Sequence, residues 1–329
     1  MPQDGFGREI DYLRISLIDQ CNLRCVYCMP ADAQSGVASS ALLTTGEIET
    51  VARVAVASGF RKIRLTGGEP TLRTDLVDIV GAIARIRGLR DLSLTTNGIR
   101  LPPIAPALAA AGLRRVNVHL DALDPGRVER LMRGARADAI WNGILAAEAA
   151  GLTPIKLNCV VTRGYNNEEV VALARLTTEH PWHVRFIETM PLGTGAPATV
   201  ARTHFVPSQE TRRRIEAALG PLALQPSGDP SDEARNFRLS GAPGVVGFIS
   251  PVSEPYCGTC NRMRLTADGR FHLCLLNDDE LDVRGALRGG GGEAAVAAIL
   301  LRAVAGKPVG HQLDRGRSVE QRQMFQLGG

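Results

Sequence analysis

The 329-residue sequence predicts an α/β fold: a partial (β/α)6 barrel of the TIM type followed by a small C-terminal α+β unit. Three observations point there. Short β-type runs alternate with Ala-rich amphipathic stretches from residue 12 to about residue 220. Polar residues recur at every second position within those runs. The alternation then gives way to a stretch rich in Gly, Pro, Ser and Thr at 189–234. The expected division is residues 1–230 for the barrel and 231–329 for the C-terminal unit.

Strands are expected at 12–18, 62–66, 92–96, 115–120, 154–161 and 183–188, with helices at 45–58, 75–85, 103–111, 137–150 and 167–179. Strand-then-helix units in unbroken series require parallel pairing and right-handed crossovers. The segment 189–234 reads as loop and linker with one helix near 209–219. Beyond it, short strands are expected at 236–239, 245–249, 263–266 and 271–273, then helices at 279–287 and 293–304 separated by the flexible turn Gly289-Gly290-Gly291-Gly292.

Parallel strands covered on both faces are nearly all apolar. These strands depart from that rule on one face. Arg14 and Ser16 share a face on the first, Lys62, Arg64 and Thr66 on the second, and Ser93, Thr95 and Asn97 on the third. Asn117, His119 and Asp121 continue the set, as do Lys156, Asn158 and Arg185. For one residue alone, a solvated outer face is the simpler explanation. Recurrence over six strands favours a polar, cationic barrel interior that holds an anionic ligand.

Hydrophobic content of 44% and charged content of 22% are ordinary for a soluble globular protein. A formal charge of +4 is too small for wholesale nucleic-acid binding. With no membrane-length apolar run and no leader pattern, a cytoplasmic protein is expected, with neither membrane nor nucleic acid as partner. Cytoplasmic cysteines are reduced, so metal binding is a better expectation than disulfides. Of seven cysteines, three lie within 21–28, three within 257–274, and Cys159 is alone on the apolar face of its strand. Lys62, Lys156 and Lys307 are the only lysines, which makes each worth locating.

Cys21, Cys25 and Cys28 follow the first strand, at the end of a barrel where chemistry is usually placed. Three thiolates on a four-iron cluster leave one iron open to a ligand. The competing reading is structural zinc, for which no local fourth donor is present. The C-x3-C-x2-C spacing, with Tyr27 before the last cysteine, resembles the signature of the radical S-adenosylmethionine superfamily. Thr66-Gly67-Gly68-Glu69-Pro70, after the second strand, resembles a second motif of that superfamily. Its glycines let the backbone approach the cofactor, and Glu69 can accept the cofactor ammonium.

The second triad is Cys257, Cys260 and Cys274. It fits either a zinc knuckle completed by His272 or a second cluster with an open iron. Arg262 and Arg264, alternating just after Cys260, can grip an anion. Phe186-Ile187-Glu188-x-Met190-Pro191 and the run from Cys257 to Thr266 resemble the molybdenum cofactor biosynthesis protein A family, the GTP 3′,8-cyclases, and the resemblance spans nearly the whole chain.

That resemblance implies a radical S-adenosylmethionine lyase with two [4Fe-4S] clusters, held by Cys21, Cys25 and Cys28 and by Cys257, Cys260 and Cys274. The second open iron would bind guanine. Tyr27, Gly68, Glu69, His119 and Met190 would contact S-adenosylmethionine. Arg14, Arg64, Thr95, Lys156, Asn261, Arg262 and Arg264 would contact GTP, and by position Lys62 and Arg185 would reach its triphosphate. An adenosyl radical would take the ribose 3′ hydrogen, and C3′ would close onto guanine C8, giving (8S)-3′,8-cyclo-7,8-dihydro-GTP. An external electron donor is implied, as is a downstream cyclic pyranopterin monophosphate synthase; a homodimer is allowed. His119 departs from the family, which usually carries serine there. The terminal Gly328-Gly329 would reach the site. Two alternatives stay open: another twin-cluster radical enzyme acting on peptides, and a non-catalytic zinc-binding protein.

Overall fold

The computed structural model describes residues 1–33, 39–226, 228–313, 316 and 319–328. Six units appear in the expected order: β1 (Tyr12–Ser16), α1 (Thr45–Ala57), β2 (Lys62–Thr66), α2 (Leu76–Ala84), β3 (Asp91–Thr96), α3 (Ala105–Ala110), β4 (Arg115–His119), α4 (Pro125–Met132), α5 (Ala137–Ala149), β5 (Lys156–Val161), α6 (Val170–Glu179) and β6 (His183–Glu188). After them come α7 (Gly195–Thr203), α8 (Ser208–Leu219), β7 (Ala223–Gln225), β8 (Arg235–Arg238), β9 (Val245–Ile249), β10 (Arg262–Leu265), β11 (Arg270–His272), β12 (Glu280–Asp282), α9 (Arg284–Arg288), α10 (Gly292–Ala305) and α11 (Met324–Leu327).

Local chemistry explains most boundaries. The Thr44 side chain accepts from the Glu47 amide while Glu47 accepts from the Thr44 amide, a capping box that starts α1. Ile48, Val51, Ala52 and Ala55 then give the helix a buried stripe. α4 was not expected from periodicity, yet Asp124 accepts from the Arg127 amide and Pro125 occupies the first turn, both strong start signals. α7 lies inside the stretch read as linker. Its Gly195 and Pro197 are weak helix formers, and burial of Pro197, Ala198 and Ala201 outweighs propensity. The helix expected at 279–287 is instead β12 followed by α9, because Glu280–Asp282 pairs antiparallel with Arg270–His272.

All twelve strands belong to one sheet, ordered β12-β11-β10-β1-β2-β3-β4-β5-β6-β9-β8-β7. β1 to β6 are parallel neighbours in sequence order. The strands beyond residue 230 extend this sheet at both edges: β10 runs parallel to β1, and β9 parallel to β6. Its two ends do not pair with each other among the described residues.

The sheet nonetheless curls. β2 and β6 are four strands apart, roughly 19 Å across a flat sheet. Yet Arg64 on β2 and Arg185 on β6 both reach Glu233 Oε1, at 3.3 Å and 3.8 Å. Alternate residues such as Ile63, Leu65, Leu92, Leu94, Val116 and Val118 pack outward against the helices, fully or almost fully buried. Each contributes about 1.5–3 kcal/mol of burial. The intervening residues point into the curl. Among the described residues no helix is long and apolar enough to cross a membrane.

Candidate active site

One cavity is lined by both cysteine triads and by Arg14, Arg64, Arg185, Arg262 and Arg264. The first triad is placed by backbone packing. Gly68 N donates to Ile18 O at 2.6 Å and Glu69 N to Gln20 O at 2.8 Å, so the Gly-Gly-Glu segment runs against the chain leading into Cys21. A Cβ on Gly68 would lie 2.3 Å from Gln20 O, and one on Gly67, whose φ is +151°, would lie 2.4 Å from Ile18 O. These glycines therefore admit the cysteine loop itself, a role beyond the cofactor approach expected of them.

Glu69 is buried and heavily engaged. Its Oε1 accepts from Thr71 N, Thr71 Oγ1 and Thr96 Oγ1 at 3.0, 2.6 and 2.7 Å, and Oε2 from Asn97 N at 2.7 Å. Burial raises its pKa despite those donors. Oε2, with a single donor, is the oxygen able to take a further partner. Tyr27 donates from its hydroxyl to Asp121 Oδ2 at 2.6 Å and lies against His119 Nε2, which is 2.9 Å from the same carboxylate oxygen. Burial opposes a charge on His119, but the adjacent Asp121 carboxylate outweighs it and the pKa is raised. His119 is thus tied into a Tyr27–Asp121 pair at the cavity wall.

Burial pushes the Cys21 thiol up to about 11 and Cys28 up to about 12, and raises Cys25 as well. Nearby carboxylates add to this, and neighbouring sulfurs of the triad oppose the charge at positions 25 and 28. Three half-buried sulfurs on one cavity need a cationic centre to become thiolates, which fits a cluster as their partner. Burial also opposes ionisation of Cys260 and Cys274, yet the Arg262 and Lys307 charges bring Cys260 down to about 6, while Cys274 stays raised. Among the described residues no three His, Cys, Asp or Glu side chains converge as single-ion ligands. His272 is instead turned to Glu280, with Nδ1 3.2 Å from its carboxylate.

Thr95, Met190 and His119 also line the cavity. Lys62, Lys156 and Asn261 do not. Lys62 opens β2 and pairs with Asp229. Lys156 opens β5, where burial and then Arg185, Arg115 and Arg64 push its ammonium down to about 7. Asn261 turns away, donating from Nδ2 to Asp11 Oδ1 at 2.6 Å. At the cavity's other wall, α11 contributes Met324 and Phe325. Gly328 O accepts from Arg264 Nη1, and a Cβ on Gly328 would lie 2.4 Å from Thr66 Cγ2. The tail thus reaches the site as far as Gly328, while Gly329 lies outside the described residues.

Three neighbours of the site escaped the sequence reading. Glu233 sits among four arginines within the supposed linker. Asp121, noted only as part of an alternating face, orients Tyr27 and His119. Lys307, signalled by the scarcity of lysine, is buried and donates to Leu273 O at 2.8 Å beside the second triad.

Comparison with known proteins agrees along the whole chain. The Radical SAM superfamily matches residues 15–177, and Molybdenum Cofactor Synthesis C matches residues 182–313. The GTP 3′,8-cyclase of Moorella thermoacetica is 48% identical over 327 residues, covering 99% of this chain and 100% of the relative. That of Pelotomaculum thermopropionicum is 47% identical over 329 residues, again covering 99% and 100%. Among solved structures, Streptococcus suis SuiB superposes with a TM-score of 0.65 at 14% identity, covering 92% of this chain and 67% of that one. SuiB bound to S-adenosylmethionine gives a TM-score of 0.63 at 16% identity, covering 83% of this chain and 63% of that one. At such identities the likeness is one of fold.

Proposed function

The chain belongs to the GTP 3′,8-cyclase family of radical S-adenosylmethionine enzymes, and from that premise we propose that it cyclises GTP to (8S)-3′,8-cyclo-7,8-dihydro-GTP in molybdenum cofactor biosynthesis, as a lyase. The observation that carries this reading is one cavity lined by both cysteine triads and by five buried arginines.

Cys21, Cys25 and Cys28 would hold the cluster that binds S-adenosylmethionine, and Cys257, Cys260 and Cys274 a second one. With S-adenosylmethionine and the clusters bound at these cysteines, the site would have available a 5′-deoxyadenosyl radical for the ribose 3′ hydrogen and an open iron for guanine. The chain's own residues position and neutralise. Glu69 Oε2 and the Tyr27–Asp121–His119 group face the cofactor end. Arg262 both lowers the Cys260 pKa and shares Glu233 with Arg14 and Arg64, which links the second triad to the arginine cluster. Arg14, Arg64 and Arg185 supply the charge for the triphosphate, in a barrel whose buried walls exclude water. The C3′–C8 bond forms within guanosine, and the resulting nitrogen-centred radical takes one electron and one proton. An external donor supplies the electron, and a cyclic pyranopterin monophosphate synthase consumes the product.

Anaerobic reconstitution is expected to give about eight iron and eight sulfide per chain. GTP, S-adenosylmethionine and a strong reductant should then yield 5′-deoxyadenosine. Stoichiometric zinc with little iron would sink the proposal. Cofactor cleavage indifferent to GTP but stimulated by a peptide would favour the peptide-modifying reading.

A further inference from the structure

Residues 229–233 join β7 to β8 and lie across the barrel at the end where β2 and β10 begin. Three of them touch the cationic lining. Asp229 pairs with Lys62, and Ser231 O accepts from Arg262 Nη2 at 3.3 Å. Glu233, only 9% exposed, takes Arg14 Nη2 at 3.0 Å and Arg64 Nη1 at 3.3 Å on Oε1, and Arg262 Nη1 at 2.7 Å on Oε2. Arg185 Nη1 stands 3.8 Å from Oε1. One carboxylate is thus shared by four guanidinium groups from four strands.

Two oxygens cannot satisfy so many donors. Arg14 Nε and Arg64 Nε are buried without an acceptor among the described residues. Buried donors without partners are costly, and guanidinium groups favour bidentate oxyanions. The cluster is therefore built for an anion with more oxygens than Glu233 offers.

We propose that Glu233 is a selectivity residue: an internal anion that holds the arginine cluster against small anions and yields it only to a polyphosphate. This inference rests on the reading that the chamber receives the phosphates of GTP. A tethered carboxylate competes at an effective concentration of roughly millimolar or above. An anion that engages one or two arginines cannot match it. A triphosphate can engage all four, reach the two idle Nε donors, and take Lys62 from Asp229. Displacement lowers the apparent affinity by the fraction of chains already open, in exchange for rejecting competitors.

Calorimetric titration of the reconstituted chain with inorganic triphosphate and inorganic phosphate tests this. The unsubstituted chain should bind triphosphate and ignore millimolar phosphate. Glu233→Gln should bind triphosphate at least about tenfold tighter and should now bind phosphate. Hydrogen exchange of residues 228–234 in the unsubstituted chain should rise when triphosphate binds, a readout needing no variant. If Glu233→Gln leaves the arginines too repulsive to fold, Asp229→Asn should show a smaller gain in the same direction. Equal triphosphate affinities with phosphate still excluded, or unchanged exchange at 228–234, would overturn the role of Glu233 alone. Failure of every form to bind triphosphate would overturn the reading of the chamber, and this inference with it.

Discussion

Single residues decide how charge is held inside this barrel. Burial and three neighbouring cations bring Lys156 to about 7, so above that pH it is largely neutral in the free chain. A polyphosphate reverses the local field and favours the ammonium. Triphosphate binding at pH 8 is therefore expected to take up to about one proton, with affinity falling as pH rises through 7. Titrations in two buffers of different ionisation enthalpy measure this uptake, and Lys156→Met should abolish it. Uptake that survives the substitution would place the proton elsewhere. His119 is the counter-example at the same scale. Asp121 raises its pKa against burial, so it keeps its proton to higher pH than a free imidazole. Its place on the polar strand face was legible in the sequence, but its dependence on Asp121 was not. That depends on a contact between the end of one strand and the cysteine loop.

At the scale of elements, the segment after β2 matters more for the cysteine loop than its motif suggests. A methyl group on Gly68 would meet Gln20 and Asp19 backbone atoms at 2.3–2.7 Å, and backbone cannot rotate away as a side chain would. Gly68→Ala is expected to cost roughly 1–3 kcal/mol and to lower the iron bound per chain. Denaturant unfolding and iron analysis check both, and a variant equal to the parent in each would show that the loop has room to move. The six strand positions were readable because a period of two survives in sequence whichever neighbours a strand acquires. α7 and β12 were not. Each is short, and each owes its state to what it packs on or pairs with.

For the whole molecule, the continuous sheet is the controlling fact. β1 and β6 would be edge strands in a chain ending at residue 230; β10 and β9 cover them. Residues 1–230 alone are therefore expected to aggregate or unfold, because two long parallel edges and the arginines facing Glu233 lose their partners. Size-exclusion chromatography and thermal unfolding of that fragment test this. A soluble, cooperatively melting fragment would show that the barrel half stands by itself. By itself the sequence determined the βα series, both cysteine triads and the cationic face. Each is a local pattern, set by strand period or residue spacing, and needs no partner to be recognised. Only the tertiary structure decided that the late strands complete the early sheet, that the glycines admit the cysteine loop, and that a linker glutamate occupies the arginines. Those outcomes depend on contacts between residues up to 250 positions apart, such as Asn261 with Asp11. Their energy comes from burial and charge pairing that exist only once the sheet has curled.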